Sequence, residues 1–117
     1  MIVAARTLES ILSRRAAEHL RTFQTETKIR LPGRISRVVL FGSRARGDAR
    51  RDSDYDVAVF VSDLKNPREI NHVLADIAYP HILEGIHIRP FAVPSNFLDE
   101  TKKRGLSLSI ARDGVII

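Results

Sequence analysis

Two aspartates, Asp54 and Asp56, stand as Asp-x-Asp shortly after a Gly-Ser pair, Gly42-Ser43, inside VVLFGSRARGDARRDSDYDVAVF at residues 38–60. On an extended strand alternate residues point the same way, about 6.5–7 Å apart along the backbone. Both carboxylates then project from one face. Two like charges so placed repel, and neutralising them is expected to stabilise the metal-free fold. A divalent cation between them resolves the conflict, because Mg²⁺ takes one or two carboxylates and completes its octahedron with phosphate oxygens and water. The plain alternative is a pair of solvated acids at a strand start. For an isolated Asp-x-Asp that alternative is the commoner one.

The Gly-Ser pair supplies the complementary half. Gly42 closes an apolar run, and a residue without Cβ lets backbone N–H groups approach a ligand closely. Ser43 adds a hydroxyl, and a short helical turn after it would aim its first N–H groups at an anion. Arg44 and Arg46 can add charge-assisted bonds to phosphate. Ser53, directly before Asp54, is counted with this nucleotide-binding set. The competing reading is a strand-to-turn transition with solvated arginines. A P-loop is rejected: Gly42 and Gly47 reproduce G-x-x-x-x-G, but Asp48-Ala49 follow in place of Lys-Ser/Thr.

These residues build one site only if the elements around them bring the strand ends together. Ile35 to Phe41 reads as a first strand. Asp54 to Val61 reads as a second, with Tyr55, Val57, Val59 and Val61 on one face and Asp54, Asp56, Ala58 and Phe60 on the other. An antiparallel pair places Gly42-Ser43 beside the two aspartates. Upstream, Leu8, Ile11, Leu12, Ala16, Leu20 and Phe23 recur at helical spacing and predict one amphipathic helix over residues 5–27. Asn66-Pro67-Arg68-Glu69 is a helix start, with Ile70, Val73, Leu74 and Ile77 as its buried stripe. Pro80 is expected to kink or end that helix, and Gly85 to close the segment. Ile86 to Val93 is a third strand, assigned to a sheet edge or bulge by Pro90. A further helix is expected from a cap at Ser95 or Asn96, interrupted at Gly105 and resumed over Leu106 to Arg112, followed by an Asp113-Gly114 turn and a last short strand. The order α-β-(turn)-β-α-β-α describes an α/β (α+β) fold, one small mixed sheet packed with helices.

The 117 residues fit a single domain over 1–117, 44% hydrophobic and 28% charged. With no cysteine, disulfides and thiolate chemistry are excluded. No signal peptide or membrane span is apparent, so a cytoplasmic location is expected. The net charge of +5 lies in residues 1–37, which hold eight basic and three acidic residues. A solvated helix face explains it; an acidic partner or RNA is the other reading, and the lack of interleaved aromatics argues against RNA. His19, His72, His81 and His87 show no metal-ligand spacing and are expected to be structural.

Taken together, the segment resembles the minimal nucleotidyltransferases of the DNA polymerase β superfamily, whose signature is Gly-Ser, ten residues, Asp-x-Asp. The resemblance is specific over residues 38–60 and extends in outline to the whole chain. It implies the nucleotidyltransferase fold, binding of Mg²⁺ (or Mn²⁺) by Asp54 and Asp56, and binding of ATP or another nucleoside triphosphate at Gly42 and Ser43. It further implies a separate helical HEPN-type partner, with the nucleotidyltransferase as antitoxin and AMP attached to a hydroxyl of the toxin. The chain's length leaves no second domain for an acceptor, which points the same way. One departure stands out: active members carry a third carboxylate on the third strand, whereas IHIRPFAV has none between Ile86 and Val93. Glu84 lies before it, Asp99 after it, and His87 or Arg89 is left to fill the place. A non-catalytic antitoxin that neutralises its partner by contact is therefore the rival expectation.

Overall fold

The computed structural model describes residues 6–99 and 104–117. Its elements run α1 (Leu8–Ile11), α2 (Arg14–Arg30), β1 (Ile35–Phe41), α3 (Ser43–Arg46), β2 (Tyr55–Val61), α4 (Pro67–Leu83), β3 (Ile88–Pro94), α5 (Leu106–Asp113) and β4 (Val115–Ile116). The four strands form one mixed sheet in the order β3-β2-β1-β4. β1 runs antiparallel to both β2 and β4, while β2 and β3 are parallel and joined through α4. This is the mixed α/β architecture expected.

Alternation along β1 and β2 sends side chains into two apolar layers, so the sheet is covered on both faces. Val38, Leu40, Tyr55, Val57, Val59 and Val61 join Leu20 and Phe23 of α2 and Leu74 and Ile77 of α4 in the larger layer. Val39, Phe41, Ala58 and Phe60 meet Val93 and Ile110 in the smaller one. Asp54 and Asp56 belong by strand phase to the second face, at the end of β2 where that layer gives out.

Several expected boundaries shift. The helix predicted over 5–27 is two helices, broken where Leu12 turns extended, and the second continues to Arg30; residue 5 lies outside the described residues. Ser13 causes the break by capping α2, its hydroxyl accepting from the Ala16 N–H at 3.1 Å. Pro80 does not end α4, which continues to Leu83. Pro80 is exposed, so water can serve the carbonyl its missing N–H leaves free. At the start of α4 the Asn66 side chain accepts from the Glu69 N–H, as the motif predicts. β2 begins at Tyr55 rather than Asp54, and β3 at Ile88 rather than Ile86.

Pro90 sits on the edge strand of the sheet, where its missing donor is tolerated. The helix expected from Ser95 or Asn96 is replaced by turns over residues 95–98, with Phe97 N–H donating back to Pro94 O. The continuation of that helix through residues 100–103 lies outside the described residues. Asp113 ends α5, and Gly114 takes an ordinary extended conformation. Among the described residues no helix is long and apolar enough to cross a membrane.

Candidate active site

Gly42 is the pivot of the site. It leaves β1 with φ 78° and ψ −159°, a combination essentially reserved for glycine, and its carbonyl accepts from the N–H groups of Ala45 and Arg46 to start α3. Gly47, left-handed at φ 83°, ends α3 after a single turn. The first N–H groups of such a turn have no intrahelical acceptor, and here they belong to Ser43 and Arg44. A Cβ on Gly42 would lie 2.5 Å from Asp56 Oδ2. The glycine is thus required twice, by the backbone turn and by the carboxylate packed against it.

Phe41 pairs with Asp56 in the antiparallel ladder, so Gly42 and Ser43 pass alongside Tyr55 and Asp54. Asp56 is mostly buried, its side chain 17% exposed, while Asp54 reaches further into solvent. Both carboxylates converge on one guanidinium. Arg89 Nε donates to Asp56 Oδ1 at 2.9 Å and lies 3.9 Å from Asp54 Oδ2. In the parallel ladder Arg89 is the partner of Asp56, placing it on the same sheet face. His87, directly before β3, is exposed, and among the described residues no ion pair joins it to either aspartate. Of His87 and Arg89, Arg89 is the one that meets the aspartates. Glu84 is the exposed C-cap of α4 and Asp99 is exposed beyond β3. Among the described residues no cluster of three or more His, Asp or Glu is arranged to hold a metal.

The structure gives the remaining nucleotide-binding candidates protein partners. Arg44 donates to the carbonyls of Ser53 (2.9 and 3.2 Å) and Arg51 (3.2 Å), with its guanidinium 4.3 Å above the Tyr55 ring. Ser53 Oγ accepts from the Arg50 N–H and closes the turn before Asp54. Arg46 pairs with Asp48 and Asp113, each at 3.2 Å, and these carboxylates, Asp48 foremost, hold its guanidinium above the ordinary value. Arg44 and Ser53 therefore set the loop that delivers Asp54, and Arg46 moors α3 to α5.

Sequence reasoning passed over that mooring. Asp113 is buried, and burial pushes its carboxyl up; hydrogen bonds from Arg112 and Arg46 outweigh this and leave it below its ordinary value. Arg6 adds bonds to the carbonyls of Ala45 and Asp113, at 2.6 and 2.8 Å. No local motif marks the bonds that Arg6 and Arg46 make to Ala45 and Asp113, since they span 39 to 107 positions in sequence. A cleft of about 230 Å³ lined by Ile11, Leu12, Ser13, Arg44, Gly47, Ala49 and Tyr55 opens on the Tyr55 side of β2, opposite the carboxylates.

Comparison with known proteins agrees with this geometry. The chain is 27% identical over 95 residues to the candidate protein adenylyltransferase MJ0141 of Methanocaldococcus jannaschii, covering 78% of this chain and 96% of the relative. A candidate nucleotidyltransferase from Sulfolobus solfataricus shares the fold, with TM-score 0.50 and 20% identity over 89% of this chain and 86% of that one. A mutant form of the toxin–antitoxin pair MntA-HpeT also shares it, with TM-score 0.50 and 15% identity over 78% of this chain and 66% of that one. The sequence model of the family described as polymerase beta, nucleotidyltransferase, matches residues 22–114 and spans α3, both aspartates and Arg89. The chain belongs to the polymerase β nucleotidyltransferase family.

Proposed function

We propose that the chain binds a magnesium–nucleoside triphosphate, ATP foremost, and transfers its AMP group to a hydroxyl on a partner protein, a helical HEPN-type toxin, for which it acts as cytoplasmic antitoxin. The observation that carries this reading is the convergence of Asp54 and Asp56 on one positive group beside the Gly42-Ser43 turn. A seat already shaped for a cation between two carboxylates fits a divalent metal by charge and donor type. When bound, Mg²⁺ would neutralise phosphate oxygens as charge builds on them.

The chain's own residues do the rest. The N–H groups of Ser43 and Arg44 and the Ser43 hydroxyl receive the phosphates, brought close because Gly42 has no side chain. Arg44 and Ser53 hold the loop that aims Asp54, and Arg46 fixes α3. In the transfer, the acceptor oxygen bonds to the α-phosphorus, the bond from that phosphorus to its bridging oxygen breaks, and pyrophosphate leaves with the electron pair. The hydroxyl proton passes to a base; the solvent-facing Asp54 is the carboxylate of this chain open to that role. The relationship to MJ0141 supports AMP as the group and a protein as the acceptor. The likeness to MntA-HpeT supports a toxin as that protein.

A second reading has its own observation: the β3 residue that meets the two aspartates is Arg89, a cation, and not an acid. On that reading the chain neutralises its partner by contact alone. Calorimetry with ATP and Mg²⁺, and intact-mass analysis of the copurified partner, separate the two. Nucleotide binding should require Mg²⁺ and vanish in Asp54→Asn/Asp56→Asn, and the partner should gain the mass of AMP. Undiminished binding in the double variant refutes the site. Neutralisation that survives in it, with no added mass on the partner, establishes the contact mechanism.

A further inference from the structure

We propose that Arg89 is the resident cation of the Asp54–Asp56 pair, so that a divalent metal enters only together with a nucleotide and the site holds one metal rather than two. The inference rests on the nucleotide-binding reading above and gives that site its order of loading.

Geometry supplies the first argument. Arg89 is fixed opposite Asp56 by the parallel ladder, and its Nε reaches both carboxylates, at 2.9 and 3.9 Å. Those distances put the guanidinium where a bridging cation would make its contacts. Charge supplies the second. Two carboxylates and one guanidinium leave a net charge of −1, and any divalent ion approaching the bare pair meets the guanidinium at close range. An arginine does not relinquish its proton at accessible pH, so this barrier does not titrate away. A triphosphate alters the balance, because it brings several negative charges and can accept two hydrogen bonds from the guanidinium where Asp56 now accepts one.

The third argument is that Arg89 has freedom to move. Its side chain is 58% exposed, and one hydrogen bond holds it to Asp56. Phe91, two residues along on the same face, lies with its ring 5.5 Å from the guanidinium and offers a surface for the displaced group. Asp56 is not free in this way, being confined by Gly42 behind it. The element that yields on loading is therefore the arginine.

The experiment counts Mn²⁺ by the paramagnetic resonance of the free ion in titrations of the whole chain, with and without α,β-methylene-ATP, an analogue that resists AMP transfer. Wild type should bind Mn²⁺ weakly alone at every pH from 6 to 9, and should bind one Mn²⁺ per chain with the analogue. Arg89→Gln keeps the length of the side chain and removes its charge; nucleotide-free Mn²⁺ affinity should rise about 10- to 100-fold, the range that neighbours of a metal ligand command. Arg89→Asp should raise the count with the analogue to two. Arg89→Ala, scored by circular dichroism for folding, repeats the first comparison without a polar side chain.

Unchanged nucleotide-free affinity in both Arg89→Gln and Arg89→Ala overturns the proposal, as does a count of two in wild type. If wild type binds no Mn²⁺ with the analogue, the nucleotide reading fails instead. The nucleotide-free comparison then still decides whether Arg89 holds the carboxylate pair against metal.

Discussion

Replacing Gly42 with alanine tests whether turn and carboxylate are built as one unit. Two effects add. At φ 78° and ψ −159° the backbone lies in a region that excludes residues with a Cβ, which costs about 1–3 kcal/mol. The new Cβ would also stand 2.5 Å from Asp56 Oδ2, so the carboxylate must shift and its charged hydrogen bond to Arg89 weakens, for about 1 kcal/mol more. The sum, about 2–4 kcal/mol, corresponds to a drop in Tm on the order of 10 °C for a domain of this size. Gly47 is the internal control: its φ of 83° is also positive, but nothing lies within 4 Å of a Cβ there, so Gly47→Ala should cost only about 1–2 kcal/mol. Urea unfolding of Gly42→Ala, Asp56→Ala and the double variant isolates the steric part. Asp56→Ala removes the colliding oxygen, so Gly42→Ala should be milder in that background by about 1 kcal/mol. Additivity within about 0.3 kcal/mol, or equal losses at Gly42 and Gly47, would refute the argument.

Three further expectations concern stability. The sequence predicts that Asp54→Asn/Asp56→Asn stabilises the metal-free chain by relieving repulsion, but Arg89 already neutralises part of that repulsion. Urea unfolding should therefore find the double variant within about 1 kcal/mol of wild type, without the expected gain. Asp113 is held below its ordinary value of 3.8, so its contribution is complete above that pH and is lost as pH falls through the lower folded value. Acid unfolding monitored by circular dichroism should accordingly be less steep below pH 4 in Asp113→Asn, which starts from a lower stability at pH 7. Thr27 Oγ1 is buried in α2 without a hydrogen-bond partner among the described residues, and Thr27→Val should raise stability by about 1 kcal/mol in the same urea assay.

The parts of the fold that could be read from sequence were those written in local periodicity. Alternation in YDVAVFV predicts both faces of β2, and the two apolar layers divide its residues accordingly. Asn66-Pro67 marks the start of α4 because a capping side chain acts within one turn. The break at Leu12 was hidden because the apolar spacing continues across it, and only the competing cap at Ser13 interrupts the helix. The helix expected after Ser95 failed for a similar reason: an acceptable cap was present, but residues 95–98 close as turns against the end of β3. At the site, residue types predict a phosphate-and-metal surface, while the destination of each guanidinium depends on tertiary neighbours. Arg44 finds two backbone carbonyls and Arg46 two carboxylates, neither of which is implied by spacing.

Arg89 shows what the register of a sheet adds to a motif. In the sequence it is one of several charged residues near a proline-interrupted strand, separated from Asp56 by 33 positions. Parallel pairing of β2 with β3 makes the two residues neighbours on one face, and it does so through Tyr55↔Ile88 and Val57↔Pro90, contacts with no part in the chemistry. A one-residue slip of β3 would turn Arg89 to the opposite face. Ile88 packs in the larger apolar layer and Val93 in the smaller, and a slip would exchange their layers and carry Arg89 to the side of the larger one. Packing of β3 therefore fixes which residue meets the aspartates. The cation at that position sets the charge beside the aspartates, while the packing of β3 rests on its apolar neighbours.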